Sequence, residues 1–287
     1  MEKLERKRTR GEKVFMGVMF VFFVTYSFAI IYAFAYIFMN ALKTNGEFFD
    51  DRNALPKQWL FTNFIDMFQK IEYNSANFFE MFGNSILLTV ESSVAAIVFP
   101  TITAYVLSKY KFKFCKFLYS LAIVMQTIPT IGSLTAQYQF VYAMGINDNY
   151  SLIWLLSAGS LTFNMIIIYA GFESISWTYA EAAQMDGAGH FRIFVSIMLP
   201  LAKPFIIANF VTTFINKWND YMTPFLYMDR FPTVALGLYQ FQQKQTFATD
   251  MPPLFAGIVV SVLPVLILFS CMQKSIIGNT IAGGIKG

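Results

Sequence analysis

Cysteine and histidine are nearly missing from this 287-residue chain, which carries two cysteines, Cys115 and Cys271, and one histidine, His190. Three such side chains, so widely spread, cannot assemble an all-His/Cys metal site, and no disulfide is expected. Charge is scarce too: Asp, Glu, Lys and Arg make up 13% against 56% hydrophobic residues, where a soluble globular domain carries roughly 25% charged residues. A phosphate-cradling G-x-x-x-x-G-K-[ST] loop is lacking, since Gly278 and Gly283 have the opening interval but Gly284 follows where lysine is required. The chain is therefore not expected to hydrolyse nucleotide itself, and neither a catalytic residue nor a metal ligand is expected. Inverted repeats with buried charge pairs, a symmetric pore motif and clustered catalytic side chains are also missing, which weakens the alternative of a stand-alone secondary transporter, channel or intramembrane enzyme.

Apolar sequence is what the chain has in quantity, with a mean hydropathy of +0.51. About 20 mainly apolar residues cross a hydrocarbon layer of roughly 30 Å. Six stretches are long enough: residues 14–42, 81–107, 114–142, 150–172, 205–228 and 254–272. The fold class expected is an all-α integral membrane protein of six transmembrane helices. The first stretch is too long for a signal-peptide core and lacks a small-residue cleavage pattern, so it is expected to stay as an anchor. Pro100, Pro129 and Pro264 fall inside spans, where proline removes a backbone hydrogen bond and bends a helix. Bent, pathway-lining helices and the ordinary frequency of proline in membrane helices account for them equally.

Lysines and arginines set the orientation. Fourteen fall in residues 1–13, the loop with Lys109, Lys111, Lys113 and Lys116, the loop with Arg192 and Lys203, and the tail with Lys274 and Lys286. Only six, Lys43, Arg52, Lys57, Lys70, Arg230 and Lys244, fall on the other side. By the positive-inside rule both termini and residues 175–203 are expected in the cytoplasm. The amino-terminal basic run adjoins a span and is interleaved with Glu2, Glu5 and Glu12, so it reads as a topology signal and not as a nucleic-acid-binding arm.

The most informative segment is the polar insert EAAQMDGAGHFRIFVSIMLP, residues 181–200, lying between two apolar stretches. Glu181, Ala182 and Ala183 are followed after three residues by Gly187, and after nine more by Ile197, with Leu199 and Pro200 behind it. This spacing resembles the EAA loop of ABC-importer permeases, the segment that meets the ATP-hydrolysing subunit, and Asp186 with Ala188 extends the likeness to the sugar-importer branch. Ser176 is expected to cap a short helix with Glu181 in its first turn, while Ala182 and Ala183 keep one face small enough for a partner's cleft to approach. Gly187 and Gly189 are expected to bracket a turn. A second helix, residues 190–198, is expected to leave that turn at an angle with Asp186 accepting backbone N–H groups at its start, until Pro200 stops it. His190 reads as a surface residue at that helix start.

The likeness extends further. Residues 201–227 resemble the fifth span of maltose-type carbohydrate permeases through Trp218, Asn219 and Asp220, and the ending AGGIKG, residues 282–287, resembles that of their smaller permease subunit. Residues 43–80 resemble the extracytoplasmic strap of this branch, leaving 81–275 as the permease core and 276–287 as a cytoplasmic tail. The loop entrance departs from the family pattern, with Ser176 and Thr178 where a proline and an acidic residue are usual. The resemblance implies a type I importer in the cell membrane, built from a second, homologous permease subunit, two ATP-binding cassette subunits and an extracytoplasmic solute-binding protein. ATP and Mg would sit on the partner ATPase, with no cofactor on this chain. The implied cargo is a carbohydrate, and the alternative is an amino acid, peptide or polyamine.

Ionisable and amide groups inside spans are costly and usually face a cavity or a partner. Glu91, Lys217 and Asp220 are the charged candidates for the pathway. Lys217 and Asp220, three apart, can pair on one helix face beside Trp218, whose ring either stacks on a sugar or sits at the membrane interface. Asn164, Asn209, Asn216 and Asn219 suit either sugar hydroxyls or interhelical bonding, and Asn209 and Asn216, seven apart, are expected on one side of their helix.

Overall fold

Two helices of 32 residues each, α1 (Arg10–Ala41) and α4 (Phe78–Lys109), are the longest elements between the amino terminus and the middle of the chain. The computed structural model describes residues 9–129, 132–244 and 250–283. Lys3, Arg6, Lys7 and Arg8 of the basic amino terminus, and residues 284–287 of the tail with Lys286, lie outside the described residues. Between α1 and α4 come α2 (Asn45–Asp50), α3 (Asn63–Lys70) and the antiparallel hairpin β1 (Glu72–Tyr73) and β2 (Ala76–Asn77). After α4 come α5 (Cys115–Thr127), α6 (Ser133–Ala143), α7 (Tyr150–Ser157), α8 (Phe163–Glu173), α9 (Thr178–Met185) and α10 (His190–Ile193). A π-helical stretch (Phe194–Met198) then leads into α11 (Leu199–Trp218), α12 (Met222–Tyr227), α13 (Val234–Gln243) and α14 (Met251–Gly283).

Among the described residues, four helical segments are long and apolar enough to cross a membrane: Arg10–Ala41, Phe78–Lys109, His190–Trp218 and Met251–Lys274. The other two expected spans are interrupted, each for a local reason. Ile128 precedes Pro129, whose ring disfavours the α region for its neighbour; Ile128 is extended (φ −76°, ψ 119°) and ends α5. Gly132, at φ +83°, then opens α6. In the fourth stretch α7 stops at Ser157 and α8 resumes at Phe163, across Ala158-Gly159-Ser160, where glycine and serine favour the helix weakly. Pro100 and Pro264 lie inside continuous helices. The last helix runs on to Gly283 through residues expected to begin a tail.

Three starts share one chemistry. Thr9 with Glu12, Thr44 with Glu47 and Asn77 with Glu80 form reciprocal capping boxes that satisfy the first N–H groups of α1, α2 and α4. The hairpin turns through Asn74 and Ser75, at φ 47° and 67°, the left-handed pair that a two-residue antiparallel connection demands.

Residues 1–70 with 245–260 form one unit, and 71–244 with 261–287 another. In the first, the most apolar stretch of α1 buries none of its residues against the rest of the chain. The chain beyond it is pinned by polar groups: Lys43, 1% exposed, donates through Nζ to the carbonyls of Asp51 and Arg52 at 3.0 Å each. Asn63 Nδ2 donates to Ala41 O and Lys43 O at 2.9 Å each. Burial pushes the Lys43 ammonium below its usual range against the opposing pull of Asp51 and Glu47. The hydrogen bond to Asp250 holds Lys70 above it.

In the second unit α4 is the hub, packing on α7, α8, α11 and α13. Its lower half joins α8, α9 and α11 in a core of Ala104, Tyr105, Leu107, Phe172, Ala183 and Met198. A Cβ on Gly171 would stand 2.5 Å from Phe205 Cγ, so α8 and α11 approach as closely as glycine permits.

Replacing Lys43 with Ala removes the donor from the Asp51 and Arg52 carbonyls and empties a buried site, a cost of about 1 kcal/mol or more. Faster chymotryptic cleavage after Phe48, a buried residue, is the expected outcome in Lys43→Ala, with the exposed Lys57→Ala as an unchanged control.

Candidate functional site

The segment with the Glu181 spacing folds as two short helical arms joined by a left-handed glycine. The first arm starts where Ser176 Oγ accepts the Thr178 amide at 3.3 Å and bonds the Thr178 hydroxyl at 2.8 Å. Ser176 thus serves the first residue of α9 from two positions upstream, while the residue at the cap itself is Trp177. Glu181 occupies the exposed first turn, where a carboxylate is favoured by the helix dipole.

Ala182 and Ala183 part company. Ala180 and Ala183 turn inward onto the α4–α8 core. Ala182 is exposed in a groove of about 560 Å³ lined by Ser176, Thr178, Tyr179, Ala182, Asp186 and Ile197, which the otherwise buried Ala183 also borders. The exposed apolar side chains of Met185 and Phe191 stand beside this segment.

Gly187 sets the bend. Its amide donates to Gln184 O at 2.9 Å and that of Ala188 to Ala183 O at 2.9 Å, with Gly187 at φ +80°. These two bonds define a Schellman ending, which needs a left-handed residue after the cap. Ala188 packs back on the core. The second arm begins at His190 behind Gly189, which brings no side-chain cap. Asp186 is the last-turn cap of α9 and does not serve α10, a correction to the expected role.

Pro200 also differs from expectation, because it does not stop the helix. It sits in the first turn of α11, where a missing N–H and a fixed φ are tolerated. Its ring would still crowd the carbonyl four residues back. The backbone answers by widening over Phe194–Met198, where Leu199 N bonds Phe194 O, five residues back. Ile197 therefore lies in the π-stretch and Leu199 and Pro200 open α11, all within one continuous 29-residue helical segment, His190–Trp218.

Residues at the end of α4, of which the sequence marked only Lys109 and that for its charge, clamp both arms. Lys109 Nζ donates to Ile175 O at 2.6 Å. Tyr110 Oη bonds His190 Nδ1 at 3.0 Å, and its ring meets Trp177 edge-on at 6.0 Å. Tyr105 lies 4.6 Å from the Phe194 ring and 5.4 Å from Phe172. The only sequence signal for this clamp is the shared basic side of the two loops.

The pathway candidates scatter. Lys217 and Asp220 both border a cavity of about 240 Å³ with Ser92, Gln137, Thr223 and Tyr227. Among the described residues they form no ion pair, contrary to the expected pairing. Asp220 lies beyond the end of α11 at Trp218 and instead accepts from Thr223 N at 3.0 Å and Thr223 Oγ1 at 2.6 Å. Trp218 is 5% exposed, stacks on Phe214 and donates to Ser261 O at 2.9 Å, so its ring is packed within the chain. Asn164 bridges helices through Ala96 O and Thr213 Oγ1. Asn209 is buried and bonds Phe205 O, Asn216 is exposed, and Asn219 bonds Ile215 O. Asn209 and Asn216 thus occupy different environments. Glu91 is half-buried, its Oε2 without a partner among the described residues.

A family model described as binding-protein-dependent transport system inner membrane component matches residues 96–277. The diacetylchitobiose uptake system permease protein NgcG of Streptomyces coelicolor is 28% identical over 98% of this chain and 92% of its own length. The maltodextrin transport system permease protein MdxG of Bacillus subtilis is 32% identical over 78% of this chain and 81% of its own length. A chain from a bacterial ABC transporter involved in the import of the acidic polysaccharide alginate shares the fold, with a TM-score of 0.80 at 24% identity over 94% of this chain and 99% of that chain.

A side chain on Gly187 meets nothing within 4 Å, so substitution there carries a conformational cost of about 1–2 kcal/mol. Gly187→Val is expected to speed amide exchange across residues 178–193, while Gly187→Asn, which tolerates the left-handed region, stays near the parent rate.

Proposed function

Because the chain belongs to the family of binding-protein-dependent transport system inner membrane components, we propose that it forms half of the translocation pathway of an ATP-driven importer for an oligosaccharide. It is a multi-pass membrane transport component and not an enzyme. Six crossings are proposed: α1, α4, the α5–α6 pair, the α7–α8 pair, the helix His190–Trp218, and α14. The excess of basic residues beside the Glu181 loop favours both termini and that loop in the cytoplasm, with residues 43–80 outside. The carbohydrate assignment rests on relatives named for diacetylchitobiose and maltodextrin uptake.

The observation that carries the coupling role is the clamped elbow with its outward groove. Glu181, Ala182, Asp186 and Gly187 form the face proposed to receive an ATP-binding cassette subunit. Ala183, Ala188, Ile197, Leu199 and Pro200 join that face to the core and to α11. A second, homologous permease subunit, two cassette subunits carrying ATP and Mg, and an extracytoplasmic solute-binding protein complete the proposed assembly. The cavity beside Lys217 and Asp220 is the part of this chain proposed to meet the cargo, with Gln137 and Tyr227 as added neighbours. Glu91, Asn164, Asn209, Asn216, Trp218 and Asn219 are kept as pathway candidates of the same helices, the bonded ones acting through packing.

Filling the groove tests this directly. In proteoliposomes with the cassette subunits and binding protein, Ala182→Trp is expected to lower ATP-driven sugar uptake by roughly tenfold or more, the loss produced when a central interface contact worth about 2 kcal/mol is removed. Membrane insertion should stay unchanged, and uptake at the parent rate would contradict the docking role.

A further inference from the structure

Beside the elbow, the end of α4, the connection to α5 and the end of α8 enclose a second cavity of about 740 Å³. Its lining includes Lys111, Lys113, Lys116, Tyr119, Tyr169 and the single carboxylate Glu173. Glu173 lies within electrostatic reach of Lys109, a fourth lysine whose ammonium is engaged with Ile175 O. Among the described residues none of Lys111, Lys113 and Lys116 forms an ion pair, so the cavity keeps an excess of positive charge. The first turn of α5, which starts without a side-chain cap, adds the positive end of its dipole. Such a site calls for an anion with several acceptor oxygens.

The neighbouring side chains say which anion. Lysine alternates with phenylalanine through Lys111, Phe112, Lys113, Phe114, Lys116 and Phe117, and Phe114 and Phe117 are 64% and 61% exposed. A soluble anion has no use for exposed phenyl rings. An anionic lipid satisfies both sets, with rings at the acyl boundary and ammonium groups at the phosphate. We propose that this cavity binds the phosphate headgroup of an anionic membrane phospholipid. Tyr110, which lines the same cavity, is the residue whose hydroxyl holds His190 of the elbow, so the headgroup sits one side chain from the bend. The inference does not depend on which solute is carried.

The test uses the purified full-length chain, delipidated in neutral detergent and titrated with phosphatidylglycerol, phosphatidylcholine or inorganic phosphate, with bound lipid counted by native mass spectrometry. Phosphatidylglycerol is expected to be retained in preference to phosphatidylcholine. Lys113→Gln with Lys116→Gln is expected to weaken that retention by roughly tenfold or more. Lys113→Arg with Lys116→Arg should restore it, and Lys57→Gln should leave it untouched. Equal retention of the two lipids, or an unaltered double glutamine variant, would overturn the proposal. Displacement of the lipid by inorganic phosphate would overturn it too, by assigning the cavity to a free anion.

Discussion

The left-handed backbone at Gly187 is the constraint on which the elbow depends. Two amide bonds, from Gly187 to Gln184 O and from Ala188 to Ala183 O, close the first arm and aim the second. They hold because glycine takes φ +80° without steric penalty. The angle would still be soft if only the backbone defined it. Tyr110 and Lys109 remove that softness by fastening His190 and Ile175, one on each side of the bend, to the end of α4. The elbow is thus braced by the central helix of its own unit.

Bracing matters because the second arm does not end at the elbow. The π-stretch lets α10 run into α11 despite Pro200, so the arm and the membrane-length helix are one rod from His190 to Trp218. The first arm comes directly after α8, and α8 meets α11 at Gly171 against the Phe205 ring. A displacement applied at Ala182 has short, stiff routes into both helices. At the far end of α11, Lys217, Asp220 and the neighbouring cavity lie where such a tilt would change the opening most. In the proposed importer, this is how a partner's ATP hydrolysis reaches the cargo path.

Much of this was legible in the residues, and the remainder was hidden for physical reasons. Long apolar runs marked α1, α4 and α14, because bilayer thickness leaves few alternatives to a helix of that length. The Glu181 spacing marked the elbow through its resemblance to the EAA loop, and its glycine and small residues fitted a turn between two short helices. Pro200 was misleading, since one rule says that proline ends a helix and another that it starts one, and only the register of the preceding turn decides. Lys217 and Asp220 look like partners at an interval of three, but the helix ends between them and Thr223 claims the carboxylate. Trp218 looked available because aromatic rings suit sugars, whereas Phe214 and Ser261 already occupy it. The clamp by Tyr105, Lys109 and Tyr110 joins residues distant in sequence by tertiary packing alone, beyond the reach of any local pattern.

The central claim is that the elbow moves as a rigid body when its partner hydrolyses ATP. Spin labels at the exposed positions Gln184 and Arg192, one on each arm, measure that rigidity within the assembled transporter. The account predicts the same narrow interspin distance without nucleotide, with ATP and after hydrolysis. A distance that shifts or broadens with nucleotide state would show that the bend absorbs the motion instead of transmitting it, and would contradict the account.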